Sequence, residues 1–301
     1  MIIDCHAHVY AWPKIKPYPQ STTLLSVNEQ LQLMDRKGID RAVILPLNNA
    51  ESPMEFQSIG EILCICNQYP DRFIPFCNVD PRLAEVENAT ANQKFDFILE
   101  QYKDLGCKGF GELIAKLRWD DSRVEELLGA CERVGLPVTF HTTTADSKNY
   151  GIIDDLGLPG LEAVLSKFPN LKFLGHSTAF WSEISGSLSR EDKNTYSCNQ
   201  VRKGGIIKHL LRTYPNLYGD LSANSGLNAL TRDPIHAWQF IDEFQDKLLL
   251  GLDCCSTHCD MQHIKWLKGA LKENKISEDV FQKIVWKNAN KVLELNIIEN
   301  L

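Results

Sequence analysis

Residues 2–8 read IIDCHAH, an apolar run that ends in two histidines one residue apart. In a β-strand successive side chains point to opposite faces, so His6 and His8 share one face and can address the same ion. Working outward, comparable β-rich runs recur down the chain: RAVILPL (41–47), RFIPFCNV (72–79), CKGFGEL (107–113), LPVTFHT (136–142), LKFLGHS (171–177), NLYGDLS (216–222) and KLLLGLD (247–253). Most are continuously apolar rather than alternating, the pattern of parallel strands covered on both faces.

Helical patterns separate them. Residues 26–38, SVNEQLQLMDRKG, open with Ser26 and Glu29 in capping-box spacing and close at Gly38. In DSRVEELLGACERVG (121–135), Val124, Leu127, Leu128, Cys131 and Val134 form one apolar stripe ended by Gly135. LEAVLSKFPN (161–170), IIKHLLRTYPN (206–216) and SEDVFQKIVWKNANKVLEL (277–295) repeat the plan. Strand and helix alternating eight times is the signature of a (β/α)₈ TIM barrel, expected here as a single domain spanning residues 1–301. A doubly wound open sheet is the rival, but KGFGEL is too short and wrongly patterned to be its Gly-rich phosphate turn. The longest irregular stretch, Ser177 to Gly204, follows the sixth strand and is expected over the mouth of the barrel.

Composition narrows the partners. With 44% hydrophobic and 24% charged residues and a formal net charge of −7, the chain is an ordinary globular one whose acidic surplus argues against nucleic acid or an anionic membrane. No stretch approaches the roughly 20 apolar residues that span a bilayer. The first residues show no basic region, long apolar core or small-residue cleavage site, so no secretory signal is expected. Ten scattered cysteines in a chain of this size suit reduced thiols in a cytoplasmic protein.

Other metal-capable side chains end other strands: Glu112 the fourth run, His141 the fifth, His176 the sixth and Asp253 the eighth. In a parallel barrel all C-terminal strand ends meet on one face, so six ligand-type residues from five strands surround one spot. Taken singly, each has a bland alternative: a hydrogen-bonded core histidine, a helix cap at Asp253, a surface bridge from Glu112 to Lys108 or Lys116. Their joint placement favours a metal site.

This set resembles the amidohydrolase superfamily, with DCHAH at strand one, a His after strands five and six, and an Asp after strand eight. The likeness runs over essentially the whole chain, including the WKNANKVLEL tail, and is greatest to the amidohydrolase-related group of aminocarboxymuconate semialdehyde decarboxylase-like enzymes. The resemblance implies that His6, His8, His141 and Asp253 bind a divalent ion, that His176 acts on the substrate, and that the protein is a homodimer. Glu112 departs from the decarboxylase pattern and resembles the bridging carboxylate of TatD-like hydrolases, which share two ions across it.

Imidazole and carboxylate ligands suit one or two Zn²⁺ ions, with Mn²⁺ or another divalent metal as alternatives. On this reading Asp253 and His176 are catalytic, and the protein is a hydrolase that sends activated water at an amide, lactone or ester of a small, carboxylate-bearing substrate. The alternatives are a non-oxidative decarboxylase on the same barrel and a TatD-like nuclease, the latter disfavoured by the lack of basic clusters. Candidates for substrate contact are Trp12, Arg118, Trp181 and His258, with Tyr10 and Phe180 as further pocket walls and Lys14, Lys16, Lys116 and Arg202 as further cations at the mouth. Cys254, Cys255 and Cys259 are expected to pack near the barrel end, and His209, His236 and His263 to be surface residues without a role.

Overall fold

Each of the eight apolar runs is a strand in the computed structural model, which describes residues 1–13, 16, 23–52, 55–85 and 94–298. They are β1 (Ile3–Ala7), β2 (Arg41–Ile44), β3 (Phe73–Pro75), β4 (Phe110–Leu113), β5 (Val138–Thr143), β6 (Phe173–His176), β7 (Leu217–Asp220) and β8 (Leu248–Leu249). Every pairing between neighbours is parallel, in the order β1-β2-β3 and β4-β5-β6-β7-β8.

Two seams join these sheets into a (β/α)₈ barrel. Between β3 and β4, the Lys108 N–H donates to Pro75 O at 2.9 Å and the Cys77 N–H to Gly109 O at 2.9 Å. Between β8 and β1, the Cys5 N–H donates to Leu250 O at 2.8 Å and the Asp253 N–H to His6 O at 2.7 Å. A two-residue strand, Ile152–Ile153, lies against the far end of β5. The strands are buried on both faces, as their unbroken apolar runs require.

The helices follow their sequence signals. Val27–Lys37 is capped by Ser26, whose hydroxyl accepts from the Glu29 N–H while Glu29 accepts from the Ser26 N–H at 2.8 Å. Gly38 ends that helix at φ 70°, a left-handed turn that glycine enters without steric cost. Ser122–Val134 buries the expected stripe and stops at Gly135. The closing segment is not one continuous α-helix: Glu278–Gln282 and Asn288–Val292 flank a π-helical turn at Lys283–Lys287. That turn faces the barrel, where Ile284 O accepts from the Leu250 N–H at 3.0 Å and the Asn288 amide donates to Leu248 O at 2.8 Å. Among the described residues, no helix is long and apolar enough to cross a membrane.

Three expectations are corrected. The stretch after Ser177 begins with a short helix, Thr178–Trp181, and a 3₁₀ turn, Ser182–Ile184, before it becomes irregular. Its aromatic side chains go inward: Phe180 and Trp181 are buried, and Trp181 packs edge-on against Phe180 and Phe240 with ring centroids 5.2 and 6.2 Å apart. Cysteines 254 and 259 form a disulfide, because the intervening turn brings their Cα atoms to 5.5 Å, within bridging reach. His263 is buried rather than on the surface, its Nε2 3.0 Å from Ala223 O.

The capping box supplies a clean test of how the outer helices stabilise the barrel. Ser26→Ala removes the side-chain acceptor for the Glu29 N–H and should cost about 1 kcal/mol. Urea unfolding should show the midpoint falling with an unchanged slope, and metal content should be unaffected.

Candidate metal centre

The C-terminal strand ends turn their polar side chains toward one point. His6 and His8 arrive from β1 and its continuation, Glu112 from β4, His141 from β5 and His176 from β6, and Asp253 stands just beyond β8. Local backbone makes room for them. At Gly111, beside Glu112, φ is 136° and a Cβ would lie 2.5 Å from Thr139 O, so a side chain there would push β4 off β5. At Gly251 a Cβ would meet an Asp220 carboxylate oxygen at 2.6 Å and the His6 Cβ at 3.0 Å.

The histidines are oriented from behind. His6 Nδ1 sits 2.6 Å from Asp220 Oδ2, His8 Nδ1 2.9 Å from Leu45 O, and His176 Nδ1 2.7 Å from Ser222 Oγ. With each Nδ1 engaged, the Nε2 atoms face the shared point. His6 Nε2 is 3.5 Å from Glu112 Oε2 and 3.8 Å from Asp253 Oδ1, and it is buried without a hydrogen-bond partner. His8 Nε2 is 3.2 Å from Asp253 Oδ1, while His176 Nε2 is 3.6 Å from Asp253 Oδ2 and 3.8 Å from Glu112 Oε1. His141 differs, placing Nδ1 2.8 Å from Glu112 Oε1.

An orphaned buried imidazole nitrogen ringed by carboxylates is what a divalent ion's ligand set requires, and nitrogen and oxygen donors without thiolates fit a first-row metal. Among the described residues three overlapping groups satisfy the spacing: His6, His176 and Asp253; His6, His8 and Glu112; and Glu112, His141 and His176, each within 4.8 Å among its own ligand atoms.

The electrostatics agree. Burial pushes the Glu112 carboxyl up, but the hydrogen bond from His141 and the close approach of His6 outweigh it and hold the group well below the usual range. Asp220 and Asp253 are likewise burdened by burial and lowered overall, chiefly by His6. Burial disfavours His6 imidazolium, yet Asp220 and Asp253 raise its pKa well above the ordinary value. His176 goes the other way, to about 4, through burial and then the neighbouring His6 charge. Glu112 and Asp253 are thus held as carboxylates beside the imidazoles, the form in which they can ligate a cation. Behind it, burial raises Asp4 to about 7 against the pull of backbone hydrogen bonds from His6 and Leu252.

The proposed substrate contacts fare differently. Trp12 is 78% exposed, and His258 is exposed on the turn closed by the disulfide. Arg118 donates to Asp155 at 2.9 Å on the rim. Trp181 is a core residue whose indole N–H donates to the main-chain Asp220 O at 2.8 Å, so it holds the backbone behind His6 instead of lining a cavity. Lys116 donates to Ser147 O, Lys16 and Arg202 are exposed, and Lys14 lies outside the described residues.

Asp220 and Ser222, both behind the imidazoles, were not singled out from sequence. Asp220 ends its strand in NLYGDLS as Asp253 ends KLLLGLD, and that parallel was the available signal. Tyr150 was also missed; its ring packs edge-on against His141 with centroids 4.8 Å apart.

Residues 3–190 match the family model described as amidohydrolase. No curated protein matches the chain. Among solved structures, a Pseudomonas putida protein assigned as a 2-pyrone-4,6-dicarboxylic acid hydrolase superposes with TM-score 0.64 at 13% identity, over 99% of this chain and 98% of that one. The 5-carboxyvanillate decarboxylase of Novosphingobium aromaticivorans, complexed with manganese and a nitrobenzoic acid, gives TM-score 0.59 at 15% identity, over 98% and 96%. The 2,6-dihydroxybenzoate decarboxylase from Rhizobium gives 0.57 at 14%, over 98% of each chain. At such identities the likeness is one of fold.

If Asp220 orients His6 as a ligand, Asp220→Ala should weaken metal binding by about 10- to 100-fold, the usual cost of losing a carboxylate behind a ligating histidine. Competition against a graded chelator would measure it. An unchanged affinity would remove Asp220 from the centre.

Proposed function

This chain belongs to the amidohydrolase family, and from that premise we propose that it is a metal-dependent hydrolase of a small molecule. The observation that carries this reading is the position of Asp253. Its side chain is 24% exposed, against 3% for Glu112 and 1% for Asp220, and it touches the His6, His8 and His176 side of the centre. It is thus the carboxylate of the cluster that an incoming water or substrate can reach.

His6, His8, His141 and Asp253 would hold the ion, zinc in the first instance, with Glu112 completing the site or bridging to a second ion. A divalent ion bound there supplies Lewis acidity and brings the ionisation of water toward neutral pH. Asp253 takes the proton of the attacking water and returns it to the leaving group as the amide, lactone or ester bond breaks. Burial keeps His176 neutral at neutral pH. In the tautomer that accepts from the Ser222 hydroxyl at Nδ1, the imidazole proton is on Nε2, from which His176 would donate to the substrate carbonyl oxygen.

Decarboxylation is the second reading. It is favoured by the shared fold with two hydroxybenzoate-type decarboxylases, and it would use the same Asp253 and His176 to deliver a proton to carbon as CO₂ departs.

The decisive experiment pairs metal content per chain with product analysis. His6→Ala should lose the ion and reduce turnover at least about a thousandfold; Asp253→Asn should reduce it about 10²- to 10⁴-fold, the range for loss of a general base. Hydrolysis of lactones or amides supports the hydrolase reading. CO₂ release from hydroxybenzoates, with no hydrolysis, would replace it by the second. Wild-type protein that takes up neither zinc nor manganese would overturn both.

A further inference from the structure

The chain carries a net charge of −7, yet among the described residues the charged side chains of one cleft on its flank are all cationic. The cleft encloses about 390 Å³ between helices Ile206–Thr213 and Pro234–Phe244, which lie before and after β7 in the chain. Its charged lining is Arg202, Lys203, Lys208 and Arg212, with His209 and His236 beside them. Arg202 and Lys203 close the long stretch after β6, and Lys208 and Arg212 stand four residues apart on one face of the helix that follows. None of the six metal-capable residues lines this cleft, so it is separate from the metal centre.

Its positive charge is only partly offset. Glu243 serves two of the cations, Arg212 through paired contacts that include Nη2 to Oε2 at 2.9 Å, and Lys208 at 3.7 Å. Asp233, behind the loop, accepts from the Val201 N–H at 3.1 Å and the His236 N–H at 3.2 Å. Arg202 and Lys203 are exposed, and neither forms an ion pair among the described residues. Arg202 also lines an adjoining cavity of about 290 Å³, whose wall holds Asp192 and Arg232. There the Nε and Nη2 atoms of Arg232 are buried without a hydrogen-bond partner among the described residues, as are both ring nitrogens of His236. Buried polar atoms ordinarily find partners, and an unpaired guanidinium charge is stabilised by an anion set against it.

The loop that carries these groups is fixed in place. The Gly186 N–H donates to Arg202 O at 2.9 Å, and the Ser185 hydroxyl accepts from the Arg202 N–H at 3.0 Å. Gly205 is required because a Cβ there would collide with Ile184 O. As the N-cap of helix Ile206–Thr213 it offers no side-chain cap, so the positive end of that helix adds to the four cations instead of being quenched by its own cap. A carboxylate brings one charge and two acceptor oxygens to such a place, whereas a phosphate ester brings up to two charges and three. The concave shape, of small-molecule size, suits a soluble ester better than a headgroup in a membrane surface.

We propose that this cleft is a second site, apart from the metal centre, that binds the phosphate group of a small soluble phosphate monoester. Arg202 and Lys203 are its principal contacts, with Lys208 and the start of its helix behind them. The proposal does not depend on which reaction the metal centre performs.

The test is calorimetric titration of the zinc-loaded full chain with glycerol 3-phosphate, with glycerol and acetate as controls. Glycerol 3-phosphate should bind at least about tenfold more tightly than acetate, and glycerol should not bind, since one charge-assisted hydrogen bond contributes about that factor. Arg202→Ala with Lys203→Ala should weaken the phosphate by at least about tenfold, and Lys208→Gln by a smaller factor, with metal content and Tm unchanged. His6→Ala, which removes a metal ligand, should leave phosphate binding intact. Affinity that the Arg202 and Lys203 substitutions leave unchanged overturns the proposal, as does affinity lost in His6→Ala, which would place the anion on the metal. Failure to bind glycerol 3-phosphate also overturns it; sedimentation with phosphatidylcholine vesicles containing phosphatidic acid would in that case assign the cleft to a membrane surface.

Discussion

One backbone hydrogen bond joins the two ends of the site: the Asp253 N–H donates to His6 O at 2.7 Å. It belongs to the seam between β8 and β1, which cannot form until almost the whole chain has been laid down. Through it the first histidine and the last carboxylate, 247 positions apart in sequence, come within 3.8 Å. Asp4 reinforces the seam from inside, accepting from the Leu252 N–H at 2.8 Å and the His6 N–H at 3.1 Å with one buried carboxyl oxygen. Its pKa is raised to about 7 chiefly by burial, against these two backbone hydrogen bonds, which favour the carboxylate.

The barrel was readable in the sequence because parallel strands buried on both faces leave an unmistakable trace, unbroken apolar runs punctuated by helices of one plan. The ring of metal-capable residues was readable for a related reason. His6, His8, His141, His176, Glu112 and Asp253 each stand at the end of such a run, and the geometry of a barrel brings ends together wherever they lie in the chain. Asp220 obeys the same rule and was overlooked because an acidic strand end reads equally well as a helix cap.

What sequence did not disclose depends on side-chain direction in segments without a period. Trp181 and Phe180 follow β6 as pocket residues would, yet a short helix at Thr178–Trp181 turns them into the core. Arg118 sits in the right loop, but the neighbouring Asp155 takes its guanidinium. The disulfide between Cys254 and Cys259 depends on a turn whose closure only the three-dimensional path reveals. Composition suggested reduced thiols, a statement about the average cysteine that says nothing of a pair brought face to face.

These two kinds of segment divide the work of the protein. Strand ends, held by ladder hydrogen bonds and by partners such as Asp220, Leu45 O and Ser222, fix where the metal-capable side chains meet. Tyr10, Glu55, Tyr150 and Cys255 lie beyond the strands, on the connections between them. A fold shared at 12–15% identity can therefore keep its strands while its connections differ.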